Sequence, residues 1–358
     1  MSNINELLKT GIILENHYKV VNLIKKGGMG AVYKAEDIKS NSIYAIKELI
    51  PPLGTSLEQE QAKQWFKREA ELLKKLKHPN FPKISDNFIS NGRYYLVMTY
   101  IDGQDLETIL EKEGNPGLPE QKVIDWAKQI LEFLDYLHNQ SPPVIYRDIK
   151  PSNIMLNKNN QIVLVDFGIA RVIHQNSQTT KTIIGTEGYC PVEQYRGKAE
   201  PRSDLYSLGA TMHHLLTGMS PIPFKFDPLS TSNPNISSNL ENIVMKALND
   251  DLNKRFLSAK QMINALKGVN SLKNTSLEVQ SNQSNRIDTQ GKNISSYEKS
   301  KLMMDKITDD MFRDSGIDTQ GKNISSYEKS KLMMDKITDD MFRDSGIDTQ
   351  GKNISSYE

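Results

Sequence analysis

The first hundred residues combine short strand-like runs with one long helical pattern. Tyr44–Lys47 and Tyr94–Met98 are rich in aromatic and β-branched residues, which favours strands. Between them a helical pattern starts at the polar cap Ser56–Gln59, and its apolar residues recur at helical spacing up to Leu76. The pattern predicts strands and one long helix over about residues 11–98, which we call the sheet lobe.

The chain from about residue 103 to residue 267 is predicted to be mainly helical, and we call it the helical lobe. Ile124–His138 carries apolar residues at helical spacing, and Ile162–Val165 is a short, strongly apolar strand. Further helices are predicted at 203–216, 239–248 and 258–267. The two lobes together predict an α+β fold.

The remaining chain has a different composition. Residues 271–286 are rich in Ser, Asn and Gln, which is typical of a linker. Residues 287–358 then repeat with a 30-residue period: Ile287–Gly316 and Ile317–Gly346 are identical, and a partial copy follows. Each full copy has too little apolar surface for a repeat core. Two alternatives remain for the repeats. They form separate marginal helices that dock on a partner or on another copy, or they are an unstructured spacer.

Charge and composition narrow the function classes. The 358-residue chain has 45 Lys and Arg against 44 Asp and Glu, so no general affinity for nucleic acid is expected. Its one cysteine, Cys190, cannot form an internal disulfide. No apolar run approaches the ~18 residues of a membrane helix. We therefore expect a cytoplasmic protein without a membrane span.

Two neighbouring segments carry the candidate chemistry. Tyr146–Asn153 contains a carboxylate, a lysine and a carboxamide, and Val165–Gly168 adds a second carboxylate after the apolar strand. Phosphoryl transfer uses this set, because a carboxylate accepts the proton of the attacking hydroxyl, oxygen ligands hold Mg²⁺, and a lysine offsets phosphate charge. Either segment alone is a weak signal, but the two segments together, in this order and at this spacing, are a stronger one.

These segments resemble the catalytic loop H-R-D-x-K-P-x-N and the D-F-G motif of protein kinases. The resemblance implies that Asp148 is the catalytic base and Lys150 the phosphate contact, with Asn153 and Asp166 as ligands of Mg²⁺ or Mn²⁺. Tyr146 stands in place of the family's histidine, and a tyrosine can fill that volume and form a hydrogen bond.

Ile24–Tyr33 resembles the glycine-rich loop G-x-G-x-x-G-x-V of the same family. Lys25 replaces the first glycine, which is expected to reshape the loop and to affect nucleotide affinity more than activity. The resemblance also implies an ion pair between Lys47 and Glu69 on the long helix. The implied ATP-binding residues are Gly27, Gly28, Gly30, Val32, Ala45, Lys47, Glu69, Met98, Tyr100 and Met155.

Residues 169–193 resemble the activation loop of the family. A phosphate on this loop would meet Arg147, and its candidate acceptors are Thr179, Thr180 and Thr182. Four further residues have implied structural roles in the family pattern, namely Thr186, Glu193, Asp204 and Arg255. Among them Glu193 is expected to pair with Arg255, and Thr186 with Lys150 is the serine/threonine-specific signature.

The resemblance covers about residues 11–267 and is nearest to bacterial, particularly cyanobacterial, eukaryotic-type serine/threonine protein kinases. It implies a bilobal fold, with a small, mostly antiparallel sheet lobe, a larger helical lobe and ATP between them. It implies transfer of the ATP γ-phosphoryl group to Ser or Thr hydroxyls of protein substrates, with autophosphorylation in the activation loop. Two alternatives are weighed against it. A pseudokinase that only binds is disfavoured by the presence of Lys47, Asp148, Asn153 and Asp166, and a small-molecule phosphotransferase by the peptide-presenting segment around Thr186.

Overall fold

The structure, a computed structural model, describes residues 7–27, 30–50, 55–166 and 186–276, the last seven as backbone only. These residues belong to one compact unit. The predictions for Gly28, Thr179, Thr180, Thr182 and the repeats fall outside the described residues. Within the described ranges, no helix is both long and apolar enough to cross a bilayer.

The sheet lobe contains one antiparallel six-stranded sheet with the order β1-β2-β3-β4-β6-β5. The predicted strands at Tyr44–Lys47 and Tyr94–Met98 are confirmed as parts of β4 and β6. The strands are β1 Ile13–Leu14, β2 Tyr18–Gly27, β3 Gly30–Asp37, β4 Ser42–Leu49, β5 Ile84–Ser90 and β6 Arg93–Thr99.

Helix α1, Ser56–Lys75, packs its apolar face on the inner side of this sheet. The ring of its Phe66 stacks on Tyr94 with 4.9 Å between ring centroids. The cap is Thr55, one position before the predicted Ser56, because Glu58 then stands at the third helical position. There Thr55 Oγ1 accepts from the Glu58 N–H at 3.3 Å, and Glu58 accepts from the Thr55 N–H at 2.7 Å, a reciprocal capping box.

The outer side of the sheet holds a second apolar cluster around a buried carboxylate. Glu48, 1% exposed, accepts hydrogen bonds from the Tyr33 and Tyr95 hydroxyls at 3.0 Å each and from Arg93 at 2.6 Å. Three donors replace the water that Glu48 loses on burial. Since Glu48 follows Lys47 on β4, this network also fixes the strand that presents Lys47 to the opposite face.

The helical lobe is built around α5, whose side chains are almost all buried. The predicted helices are confirmed, with α8 continuing to Ser276 and so into the segment predicted as a linker. A second sheet, β7-β8-β9, lies beside the helices. The elements are β7 Gly103–Asp105, α2 Leu106–Glu113, α3 Glu120–His138, η1 Pro151–Asn153, β8 Ile154–Asn157, β9 Ile162–Leu164, α4 Val192–Tyr195, α5 Pro201–Thr217, α6 Leu229–Ser232, α7 Ser238–Ala247, η2 Leu252–Lys254 and α8 Ala259–Ser276.

A buried ion pair joins two distant segments of this lobe. Arg255 donates to both oxygens of Glu193 at 2.7 and 3.2 Å, and Ser203 Oγ donates to Glu193 at 2.7 Å. Burial acts to raise the pKa of Glu193, but the bonds from Arg255 and Ser203 hold it below its ordinary value. Removing one member of such a pair typically costs about 3–5 kcal/mol, because the other charge is left buried. The pair therefore anchors the segment that follows Thr186.

Candidate active site

A cavity of about 320 Å³ lies between the sheet lobe and the helical lobe. Its volume is at the lower end of the range of small-molecule sites. Strands β2, β3 and β4 form one wall, and η1 together with β8 forms the other. The implied site residues that line it are Val32, Ala45, Lys47, Met98, Tyr100, Asn153, Met155 and Asp166.

The inner part of the cavity is apolar. Val32 and Ala45 come from the sheet, Met155 comes from β8, and Met98 stands at the end of β6. The connector that follows, residues 99–101, borders the same space. A flat aromatic ring system fits between such walls, and the connector brings backbone donors and acceptors to its edge.

Gly30, one of the implied ATP-binding residues, also has a structural role in the sheet. The structure places its Cα against the neighbouring strand β4. A Cβ on Gly30, whose φ is +148°, would lie 1.9 Å from the Glu48 carbonyl oxygen. A side chain is therefore excluded by the β3–β4 pairing itself. Gly27 is placed at the end of β2 and does not line the cavity.

Asp148 is held by hydrogen bonds to both of its carboxylate oxygens. Thr186 Oγ1 donates to Oδ1 at 2.7 Å, and Asn153 Nδ2 donates to Oδ2 at 2.8 Å. Lys150 donates to the Thr186 hydroxyl at 2.8 Å and stands 3.8 Å from Asp148 Oδ2. The structure thus brings four of the implied residues into one bonded cluster, with the carboxylate orientation fixed and a cation beside it.

Lys47 has a different ion-pair partner from the one implied. Among the described residues, its ammonium contacts the Asp166 carboxylate, and no ion pair joins it to Glu69. Burial raises the pKa of Glu69 above its ordinary value, although the charges of Arg147 and Arg68 oppose that shift. Within the described ranges, the predicted pair of Lys47 with Glu69 is therefore replaced by the pair of Lys47 with Asp166.

Asp204 on α5 holds the backbone of the catalytic loop. Its carboxylate accepts from the N–H groups of Tyr146 and Arg147 at 2.9 and 2.8 Å, and it contacts His138 Nε2 at 2.8 Å. Arg147 has a left-handed φ of 68°, which is unfavourable for a residue with a side chain. Its carbonyl accepts from Gln194 Nε2 at 2.8 Å. His138 and Gln194 were not predicted, because no motif marks them.

Tyr146 fills the position of the family's histidine. It is 1% exposed, and its hydroxyl accepts from the Asp166 N–H at 3.3 Å. Burial raises the pKa of Tyr146 well above its ordinary value, so the side chain stays neutral. The hydrogen bond from the Asp166 N–H to Tyr146 therefore joins the two segments that carry the candidate chemistry.

The oxygen ligands of the cavity suit a hard divalent cation. Asn153 offers an amide oxygen and Asp166 a carboxylate, and Mg²⁺ is commonly bound by one or two such groups together with water and phosphate. No cluster of three or more His, Cys, Asp or Glu side chains that could hold a metal occurs within the described ranges. The donor set fits Mg²⁺ shared with a phosphate ligand.

The chain is similar to known proteins over most of its length. The family described as protein kinase domain matches residues 18–266. Serine/threonine-protein kinase PknA of Nostoc sp. is 34% identical over 271 residues, which cover 71% of this chain and 47% of that protein. Serine/threonine-protein kinase B of Synechocystis sp. is 32% identical over 71% of this chain and 46% of its own length. The chain thus spans about half the length of these curated relatives.

Solved structures resemble the described fold. PpkA-294 in its apo form matches with a TM-score of 0.64 at 25% identity, over 73% of this chain and 99% of that one. The PknI kinase domain of Mycobacterium tuberculosis matches with a TM-score of 0.59 at 26% identity, over 74% of this chain and all of that one, 100%. Both matches support the two-lobed architecture, and the cyanobacterial relatives confirm the resemblance to bacterial serine/threonine kinases.

Asp204→Asn is expected to lower the free energy of unfolding by about 2–4 kcal/mol, because an amide accepts through one oxygen and turns N–H groups toward the donors. The amides of Tyr146 and Arg147 should lose protection from hydrogen exchange more than the rest of the lobe. Denaturant unfolding and hydrogen exchange measure both effects. The control is Asp227→Asn, at an exposed position. Equal stabilities of the two variants would contradict the role of Asp204.

Proposed function

Because this chain belongs to the protein kinase domain family, we propose that it transfers the γ-phosphoryl group of ATP to serine and threonine hydroxyls of proteins. The observation that supports this most is the cluster of Asp148, Thr186, Asn153 and Lys150, which stands beside a cavity bordered by Lys47 and Asp166.

Asp148 is the proposed base. Its two oxygens are oriented by Thr186 and Asn153, so the carboxylate can accept the proton of an incoming hydroxyl without first reorienting. Lys150, through its bond to Thr186, stands where it offsets negative charge on the transferred group. The acid–base and electrostatic parts of the reaction are thereby assigned to neighbouring side chains.

Asn153 and Asp166 are the proposed holders of Mg²⁺ or Mn²⁺. The cation would supply neutralisation of phosphate charge when bound. Lys47 would contact the phosphates, which requires its present pair with Asp166 to open, since each of the two groups neutralises the other. An ion pair of Lys47 with Glu69, as the resemblance implies, would give the lysine a second anionic partner.

Two features support protein hydroxyls as the acceptors. Thr186, bonded to both Lys150 and Asp148, is the serine/threonine signature in the resembled family, and the named relatives are serine/threonine-protein kinases. The segment from Thr186 to Glu193 is held at both ends by hydrogen bonds, and we propose that it contacts an extended peptide. We also propose autophosphorylation at Thr179, Thr180 or Thr182, with Arg147 as the cation that receives the phosphate.

Asp148→Asn should reduce kcat for phosphoryl transfer by about 10²–10⁴-fold, the usual contribution of a positioned base. The dissociation constant for ATP should stay within about threefold, because the residue faces the acceptor rather than the nucleotide. Single-turnover kinetics and equilibrium binding separate the two quantities. The matched control is Asp125→Asn, whose carboxylate lies in a surface pair with Lys128. Turnover by Asp148→Asn at the control rate would contradict the assignment.

The repeats over residues 287–358 are proposed to serve targeting or self-association and not the chemistry. Every implied catalytic residue and the whole described core lie before residue 270. Two identical copies of a weak docking segment would add avidity toward a partner or another copy of the chain.

A chain ending at residue 276 should therefore melt within about 2–4 °C of the full chain, the shift that about 1 kcal/mol causes in a domain of this size. It should also keep the transfer rate toward an unrelated protein substrate. Calorimetry and initial rates on both chains provide the comparison. Unfolding or inactivation of the shortened chain would show that the repeats are part of the enzyme.

A further inference from the structure

Lys25 stands on β2 where the resembled glycine-rich pattern has its first glycine. A glycine has no side chain to contribute to the cavity, whereas a lysine brings a cation on a long stem. Where that side chain is directed depends on the pairing of β2 with β3.

A bulge in β2 turns Lys25 toward the cavity. Leu23 pairs with Tyr33 and Lys25 pairs with Val32, so Ile24 is an extra residue between the two registers. Residues directly opposite each other in an antiparallel pair share a face, and Val32 lines the cavity. Ile24 and Lys25 consequently both line it as well.

Lys26, the next residue, lies on the other face of the sheet. It pairs with Ala31, whose side chain belongs to the outer apolar cluster. Lys25 and Lys26 are both exposed and carry the same charge, but only the first borders the cavity. Lys26 is therefore a matched control for a substitution of Lys25.

Lys25 reaches across the cavity to the opposite lobe. Its ammonium donates to the Ser152 carbonyl oxygen at 3.2 Å, next to the proposed metal ligand Asn153. That acceptor is neutral, and within the described part of the chain no carboxylate lies at ion-pair distance from Lys25. Lys47, the other lysine of the cavity, is in contrast paired with Asp166.

We propose that Lys25 is a nucleotide-binding residue whose ammonium contacts the phosphates of a nucleoside di- or triphosphate. The inference rests on the proposed function and goes beyond it, since it assigns phosphate recognition to a side chain where the pattern has glycine. An anionic phosphate is a better partner for an ammonium than a backbone carbonyl, so the bond to Ser152 is exchanged when the nucleotide binds.

Calorimetric titration of the full chain with ADP and with adenosine, both in the presence of Mg²⁺, tests the proposal. Lys25→Ala should weaken ADP binding about fivefold to twentyfold, the contribution of one partly exposed charged contact. Adenosine, which has no phosphate, should bind wild type and variant within about twofold. Lys25→Arg should retain most of the ADP affinity, and Lys26→Ala should bind both ligands as wild type does.

The salt dependence provides a second measurement. The difference in ADP affinity between wild type and Lys25→Ala should shrink as ionic strength rises, since an exposed charge contact is screened. Unchanged ADP binding by Lys25→Ala would overturn the proposal while leaving the proposed function intact. Equal losses for ADP and adenosine would also overturn it, because the side chain would then act through packing. A wild-type chain that binds neither ligand would overturn the proposed function, and this inference with it.

Discussion

The buried carboxylate of Asp204 is the constraint on which the site depends. Arg147 adopts a left-handed backbone conformation that a residue with a side chain avoids unless its surroundings enforce it. Asp204 binds the N–H groups of Tyr146 and Arg147, and Gln194 binds the Arg147 carbonyl. The side chains of α5 are almost all buried in the helical lobe, so Asp204 attaches the catalytic loop to a well-packed helix. Asp148 directly follows Arg147, so its position is set by the backbone that these hydrogen bonds hold.

The charged side chains around the cavity form two groups, one around Asp148 and one made of Lys47 and Asp166. Asp148 is already oriented by Thr186 and Asn153, with Lys150 nearby, so its geometry suits proton transfer as it stands. Lys47 and Asp166 instead neutralise each other. Under the proposed function, that pair has to open before both groups can contact a nucleotide. The outer-face network around Glu48 fixes β4, the strand that carries Lys47.

Local patterns predicted much of this from sequence. Residues 146–153 are contiguous, so their chemistry could be assigned without knowing the fold, and strands β4 and β6 followed from composition. Lys47 pairs with Asp166, a residue 119 positions away, and that choice depends on where α1 lies against the sheet. The direction of Lys25 depends on a single bulge, which residue alternation does not show. His138 and Gln194 act through contacts between distant segments, and no local signal marks such contacts.

The most direct test of the account is the fate of the γ-phosphate. The full chain is incubated with γ-labelled ATP, Mg²⁺ and a mixture of unrelated proteins, and the labelled amino acids are identified after hydrolysis. Label on serine and threonine, absent from tyrosine and lost when the metal is chelated, is the result predicted for a site built on Asp148, Lys150 and Thr186. Binding of ATP without transfer to any protein, or label on tyrosine alone, would contradict the account.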